Sequence, residues 1–398
     1  MSLNETVSAD RLHIGFFGKR NAGKSGLVNA VTGQALSLTS DVPGTTTDPV
    51  QKAMELLPIG PVVILDTPGL DDEGTLGEMR VKRAKRMLDK TDLAVVVIDA
   101  SRGICPEDEA LVKELSERKK PFLLAFNKCE LLASRPALPE NALYVSAVTG
   151  ENIYELKERL AALAGTKKNE RRIVGDLLLP GDRVVLVTPI DSAAPKGRLI
   201  LPQQQTLRDI LDAGAIAAVC RETELEKTLA AFSEPPKMVI TDSQAFELVN
   251  KIVPKEVPLT SFSILFARYK GNLEGAAKSV KKLSKLCDGD TILISEGCTH
   301  HRQCDDIGTV KLPAWLRAYT GKKLDFAFTS GGEFPEDLSP YAVVIHCGAC
   351  MLGEAELKSR AAKCRAAGVP MTNYGMAIAE MNGIFKRSCA LFPQLEKV

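Results

Sequence analysis

Cys298-Thr299-His300 and His346-Cys347-Gly348-Ala349-Cys350 put three thiols and two imidazoles into two short stretches, with 45 residues between the two histidines. Three of the chain's four histidines, His300, His301 and His346, lie in or beside this pattern, a clustering that ordinary core histidines do not produce. Thiolates favour zinc and iron–sulfur clusters, whereas imidazole suits zinc or iron. Zinc would be closed by Cys298, Cys347, Cys350 and one histidine as a Cys3His set. A 4Fe-4S cluster would take the same three thiolates and leave one iron with a different or exchangeable ligand. A redox dithiol made of Cys347 and Cys350 is the third chemistry such a pair can perform. Residue types alone leave all three open.

A different chemistry is written near the start of the chain. Gly18-Lys19-Arg20-Asn21-Ala22-Gly23-Lys24-Ser25 fits G-x-x-x-x-G-K-S/T, directly after the apolar run Leu12–Phe17 and before Gly26 and the helical Leu27-Val28-Asn29-Ala30-Val31. In such a loop backbone N–H groups converge on phosphates, Lys24 offers a charge to the β and γ phosphates, and the Ser25 hydroxyl ligates Mg2+. The apolar run Val62–Leu65 then delivers Asp66-Thr67-Pro68-Gly69, where Asp66 is placed to hold Mg2+ through water and the Gly69 amide to face a γ-phosphate, so the nucleotide is a triphosphate. Between them Pro43-Gly44-Thr45-Thr46-Thr47-Asp48 supplies hydroxyls, Thr46 among them, for a loop that closes over Mg2+ as a switch does.

Two further strand ends, Asn127-Lys128-Cys129-Glu130 after Phe122–Phe126 and Ser146-Ala147 after Leu143–Val145, resemble the guanine-reading loops of small GTPases. With them the first part of the chain, residues 1–168, resembles the Era and TrmE/MnmE group of GTPases. That resemblance implies that Asn127, Lys128 and Glu130 read the base, with Glu130 standing where the group carries aspartate. It also implies that Asn21 helps hold a K+ ion in the charge role of an arginine finger; the plainer alternative is that Asn21 only shapes the loop. Leu70 follows Gly69 where Ras-like enzymes carry the glutamine that orients water, so slow intrinsic hydrolysis is expected.

The elements that must position these residues follow one pattern. Helical stretches are expected over 78–90, 106–119 and 152–164 in the first part. Beyond the charged linker Thr166–Arg172, strands at Val184–Val187, Ile216–Val219 and Met238–Ile240 alternate with helices at 205–213, 225–232 and 244–252. Strands alternating with helices build parallel sheets. Thr291–Ile294 and Val343–Ile345 are apolar strands that lead into the two cysteine stretches, so a parallel sheet would project both from one edge. The expected fold class is α/β, with three domains and mainly parallel sheets, the first a P-loop GTPase fold. Its boundaries are 1–168, a GTPase domain; 173–268, a segment without site chemistry and so a dimerisation domain; and 269–398, a cluster-binding domain.

Composition narrows the partners. Lysine plus arginine count 51 against 50 acidic residues, a balance that attracts neither nucleic acid nor an anionic membrane. No run approaches a membrane span, and ten cysteines are too sparse for a disulfide framework, so a cytoplasmic chain is expected.

Cys-x-His and His-Cys-x-x-Cys behind a GTPase domain resemble the FeFe-hydrogenase maturation GTPase family, HydF. Pro195–Gln203, Pro313–Leu316, Ile345–Met351 and Gly368–Gly375 carry the likeness further. The resemblance implies that Cys298, Cys347 and Cys350 hold a 4Fe-4S cluster, with His300 and His346 as a fourth ligand or as groups behind the ligands. It also implies a scaffold that accepts a diiron precursor with CO and cyanide ligands, built with the radical enzymes HydE and HydG, and passes it to apo-FeFe-hydrogenase. The competing reading from another class is an RNA-modification or ribosome-assembly GTPase with a structural zinc domain; the balanced charge and the lack of a basic, aromatic-rich stretch argue against it.

Overall fold

The computed structural model describes residues 8–33, 50–67, 86–165, 171–190, 199–297 and 306–395. The chain divides into two units, Met1–Glu170 and Arg171–Val398.

In the first unit the longest apolar runs become the middle of a sheet because both their faces must be covered. β1 (Leu12–Phe17) lies between β3 (Gly60–Asp66) and β4 (Leu93–Asp99), and six of the seven residues of β4 are buried. The order is β2-β3-β1-β4-β5-β6, completed by β2 (Val50–Leu56), β5 (Phe122–Asn127) and β6 (Ala142–Tyr144); only β2 runs antiparallel. Side chains alternate between two cores: Ile14, Phe16, Val95 and Val97 on one face, Phe17, Val96 and Ile98 on the other. Helices Lys24–Thr32 and Pro106–Glu117 lie in the connections between strands, and Ile153–Gly165 follows the last strand, burying Ile153, Leu156 and Leu160 along one stripe. This is the P-loop GTPase fold, with the phosphate loop, Asp66 and the two base loops at the carboxyl ends of β1, β3, β5 and β6.

The second unit holds two all-parallel sheets. One has the order β10-β9-β7-β8, from β7 (Arg183–Val187), β8 (Ile216–Cys220), β9 (Met238–Thr241) and β10 (Leu259–Ser261). The other has the order β12-β11-β13-β14, from β11 (Thr291–Ser295), β12 (Asp325–Thr329), β13 (Val343–His346) and β14 (Met371–Asn373). One continuous core serves both, running from Val185 and Phe246 through Phe262 and Phe266 to Ile292, Val343 and Ile378. Helix Phe262–Tyr269 lies in the middle of it, with Phe262, Ile264, Leu265, Phe266 and Ala267 all buried. The sequence division between 268 and 269 falls in the last turn of this helix, whose side chains belong to the shared core.

Helix Leu201–Asp212 starts four residues before the expected Gln205 because Pro202 occupies its first turn and the Gln203 side chain accepts from the Ile200 N–H at 3.1 Å. β11 and β13 are adjacent and parallel, with Ser295 opposite His346. None of the described helices is long and apolar enough to cross a membrane.

Because the second unit has one core, Phe266→Ala should destabilise it as a whole, by about 3–5 kcal/mol. Calorimetry should show a single lowered transition for residues 171–398 with GTP affinity unchanged; two separate transitions, only one of them shifted, would contradict a shared core.

Candidate functional site

The phosphate loop connects β1 to helix Lys24–Thr32. Gly23 precedes that helix at φ +89°, and a Cβ there would stand 2.2 Å from Asn127 Nδ2, so only glycine admits the approach. Lys24 is buried, and its Nζ donates to the carbonyls of Gly18 (2.9 Å) and Lys19 (2.7 Å), which folds the ammonium back over the loop. Asn21 adopts the left-handed conformation (φ 63°), so it does shape the loop, and its carbonyl accepts from Lys128 Nζ at 2.7 Å. Gly26 is exposed in the first turn of the helix.

Asn127 ties the loops together. Its Nδ2 donates to the Ala22 carbonyl at 3.0 Å, and its Oδ1 accepts from the Ala147 N–H at 3.0 Å. Ser146 is fully buried and its hydroxyl accepts from the Thr149 amide at 3.0 Å, which fixes the turn that presents Ala147. Lys128 also donates to Asp99 Oδ2 at 2.6 Å. Burial works to raise the Asp99 carboxyl, but hydrogen bonds from Lys128 and Ser101 outweigh it and hold the group below the usual carboxylate range. Glu130 is exposed on the short turn Cys129–Leu131.

Ser25 Oγ donates to Asp66 Oδ2 at 3.1 Å, bringing together the hydroxyl and the carboxylate expected to serve Mg2+. Asp66 Oδ1 is buried without a hydrogen-bond partner among the described residues. Burial pushes the Asp66 carboxyl above its ordinary value, against the lowering effect of Ser25 and of the Lys24 charge. A desolvated, half-satisfied carboxylate beside a hydroxyl fits a hydrated divalent cation. Thr46 and Gly69 lie outside the described residues.

In the second unit the β11–β13 pairing places Gly297 against Cys347. The Gly297 N–H donates to Cys347 Sγ at 3.0 Å and the Ala349 N–H at 3.4 Å, while the Cys347 N–H donates to the Ser295 carbonyl at 2.9 Å. A Cβ on Gly297 would stand 2.7 Å from Leu352 Cγ, so a side chain there would push this contact apart. Cys298 is the next residue in the chain; Cys298 and His300 lie outside the described residues. Burial, with Cys347 beside it, pushes the Cys350 thiol up to about 12, against a lowering by the buried Lys270. As a free group it keeps its proton, so a bound metal is what would turn it into a thiolate. Two thiols three residues apart, one sulfur receiving two amides, fit the thiolate set of an iron–sulfur cluster.

His346 is buried, and both its ring nitrogens meet protein atoms: Nδ1 the Cys347 carbonyl at 3.0 Å and Nε2 the Arg360 guanidinium at 3.1 Å. Sequence reasoning missed Arg360 and Glu356, because a glutamate four residues before an arginine reads as a solvated helix pair. It also missed Asp99, which no motif marks, and the Tyr374 hydroxyl that donates to Glu296 at 3.2 Å one residue before Gly297.

Three family models match the chain. The hydrogen maturase F dimerization domain covers residues 173–271, the hydrogen maturase F tetramerization domain 274–391, and the 50S ribosome-binding GTPase model 13–128. The first two together account for almost the whole second unit and for more than half of the chain. The tRNA modification GTPase MnmE of Nitrosomonas europaea is 34% identical over 157 residues, covering 38% of this chain and 34% of that protein. GTPase Der of Thermomicrobium roseum is 31% identical over 191 residues, covering 42% of this chain and 41% of that protein. The chain thus spans less than half the length of these relatives. Era of Aquifex aeolicus, solved with GDP and aluminium fluoride, is 20% identical with a TM-score of 0.34, covering 56% of this chain and 98% of that one. Motifs, topology and the GTPase family model agree that the first unit is a P-loop GTP hydrolase using Mg2+, and the two other models that the second unit forms oligomers.

The Asp66 environment sets a test. A carboxyl whose value is raised by folding has no effect on stability below its ordinary value and works against folding once the pH exceeds the folded one. At pH 7, Asp66→Asn should therefore leave the nucleotide-free chain at least as stable while lowering Mg2+-dependent GTP turnover about a hundredfold or more. Melting curves and turnover against a Mg2+ titration check both; a clear loss of stability at pH 7 would contradict the desolvated carboxylate.

Proposed function

The chain belongs to the hydrogen maturase F family, and on that premise we propose that it is a GTP-hydrolysing scaffold for the metal centre of FeFe-hydrogenase. Cys298, Cys347 and Cys350 hold a 4Fe-4S cluster, the second unit carries the diiron CO/cyanide precursor received from the radical enzymes HydE and HydG, and the loaded protein delivers it to the apo-hydrogenase. The observation that carries this reading is the 3.0 Å approach of the Gly297 amide to Cys347 Sγ, with Cys298 next in the chain.

A cluster held by three thiolates supplies an iron with one position not taken by cysteine. The protein's own part is to fix the sulfurs. Cys347 is held through its amide by Ser295 and through its sulfur by two N–H donors, and such donors stabilise a thiolate and adjust the cluster's potential. In the first unit Lys24 and Ser25 bind the triphosphate and its Mg2+, Asn127 and Lys128 hold the base loops to the phosphate loop, and Glu130 offers its carboxylate to guanine. GTP turnover makes no CO or cyanide. Its use is to change conformation or partner affinity through the loop carrying Thr46 and the segment after Gly69. Asn21 takes part in holding K+.

Iron and sulfide should be measured on anaerobically reconstituted protein. The wild type is expected to be brown and to carry about four irons per chain, and Cys298→Ala, Cys347→Ala and Cys350→Ala each to lose most of them. A colourless protein with one zinc per chain would overturn the cluster, and activity surviving Cys298→Ala would point to a dithiol. For the first unit, replacing potassium by sodium is expected to slow GTP turnover about tenfold or more, by loss of a cationic contact in the transition state; equal rates would remove the K+ role from Asn21.

A further inference from the structure

Arg360, on helix Glu354–Ala366, is 2% exposed, and its guanidinium spreads over the strand ends from which the cysteine stretches emerge. One terminal nitrogen, Nη1, meets His346 Nε2 at 3.1 Å and the Ser295 hydroxyl at 3.3 Å. The other, Nη2, donates at 2.7 Å to the Gly331 carbonyl and at 2.7 Å to Glu356 Oε1. Ser295 and His346 are register partners on β11 and β13, and Gly331 follows the end of β12, so one planar group ties three adjacent strands at their carboxyl ends. The Phe334 ring lies 5.2 Å from Arg360 Cζ and covers its face.

A guanidinium only donates hydrogen bonds. His346 Nε2 must therefore accept, which leaves the ring hydrogen on Nδ1, where it points at the Cys347 carbonyl 3.0 Å away. We infer that Arg360 is a positioning residue for the cysteine loop: acting through His346 it fixes the Cys347 peptide, and it occupies the nitrogen with which His346 could otherwise ligate iron. His346 is then a support behind Cys347, and the corner without cysteine is filled by another group. Only this last consequence rests on the cluster reading; the Arg360–His346–Cys347 arrangement consists of contacts between this chain's own atoms. Lysine would keep the charge opposite Glu356 but is a single-point donor without the planar fork, so Arg360→Lys separates charge from geometry.

The first test needs no metal. The full chain is labelled with 15N-histidine, and with four histidines in the sequence the His346 signals are identified by their loss in His346→Asn. Long-range 15N–1H correlation is expected to show His346 as the Nδ1–H tautomer in the wild type and as a mixture of tautomers in Arg360→Lys. An Nε2–H tautomer in the wild type would overturn the inference. The second test uses reconstituted protein. Arg360→Lys and His346→Asn are each expected to lose iron to a chelator about tenfold faster than the wild type, the scale of losses behind metal ligands. The double variant should be no worse than either alone, because both act on the same contact.

Chelator rates unchanged in Arg360→Lys, or a nitrogen coupling in the reduced cluster's electron paramagnetic resonance that disappears in His346→Asn, would overturn it as well. Should Arg360→Lys melt early, Glu356→Gln with Arg360→Met leaves no unpaired buried charge and carries the same readouts. A wild type that binds no iron would defeat the cluster reading, while the tautomer would still decide the role of Arg360.

Discussion

Parallel pairing of β11 with β13 is the constraint on which the second unit's chemistry depends. Parallel neighbours need a crossover, so residues adjacent at the strand ends are far apart in sequence, and both strands present their carboxyl ends on the same side. Ser295 opposite His346 therefore carries Gly297 to Cys347 across 50 positions of chain. A slip of one residue would turn His346 to the other face of the sheet and separate the sulfur from the Gly297 amide. The register is held by what lies on both faces: Ile292, Ile294, Val343 and Ile345 in the shared core, Leu293 and Val344 in a smaller cluster with Leu352 and Leu357. The core that stabilises the unit and the geometry of its thiols are thus set by the same few strand residues.

The first unit solves a similar problem with the same device. β1 and β3 are parallel neighbours, so the phosphate loop and Asp66 emerge side by side, and Ser25 reaches the carboxylate. β5 and β6 repeat this for the base loops, and Asn127, reaching Ala22 on one side and Ala147 on the other, joins the two ends of the site. Ligands gather at the carboxyl edge of a parallel sheet because loops from neighbouring strands converge there and helix N-termini face the same way.

Much of this was legible in the sequence. The strands buried on both faces, β1, β4, β7, β9, β11 and β13, are short apolar runs, and the phosphate loop, Asp66, Asn127 and Cys347 each follow or end such a run or its neighbour. What escaped has local causes. β10 and β14 are three residues long, too short to show a period, and β2 is a mostly exposed edge strand containing Gln51, Lys52 and Glu55. The core that continues from Val185 to Ile378 could not be read from a chain whose helix Phe262–Tyr269 resembles any buried segment. Glu356 and Arg360 have the spacing of a surface ion pair, and only the fold shows that their helix turns them inward. Cys298, His300, Thr46 and Gly69 rest on their motifs and family likeness.

A buried glutamate–arginine pair is not an economical way to stabilise a core. Desolvating two charges costs several kcal/mol per ion, and well-packed apolar residues of similar size would often be as stable or more so. The pair at Glu356 and Arg360 is therefore better understood by what it specifies than by what it adds to stability. An apolar side chain at 360 could pack against Phe334, but it could not hold His346 in one tautomer or bind Ser295 and Gly331 at once. Asp66 shows the same trade in the first unit: a buried carboxylate with one oxygen unpartnered among the described residues is costly to desolvate and suits a cation. In both units the local rules of stable packing give way where a side chain has to be held in one chemical state.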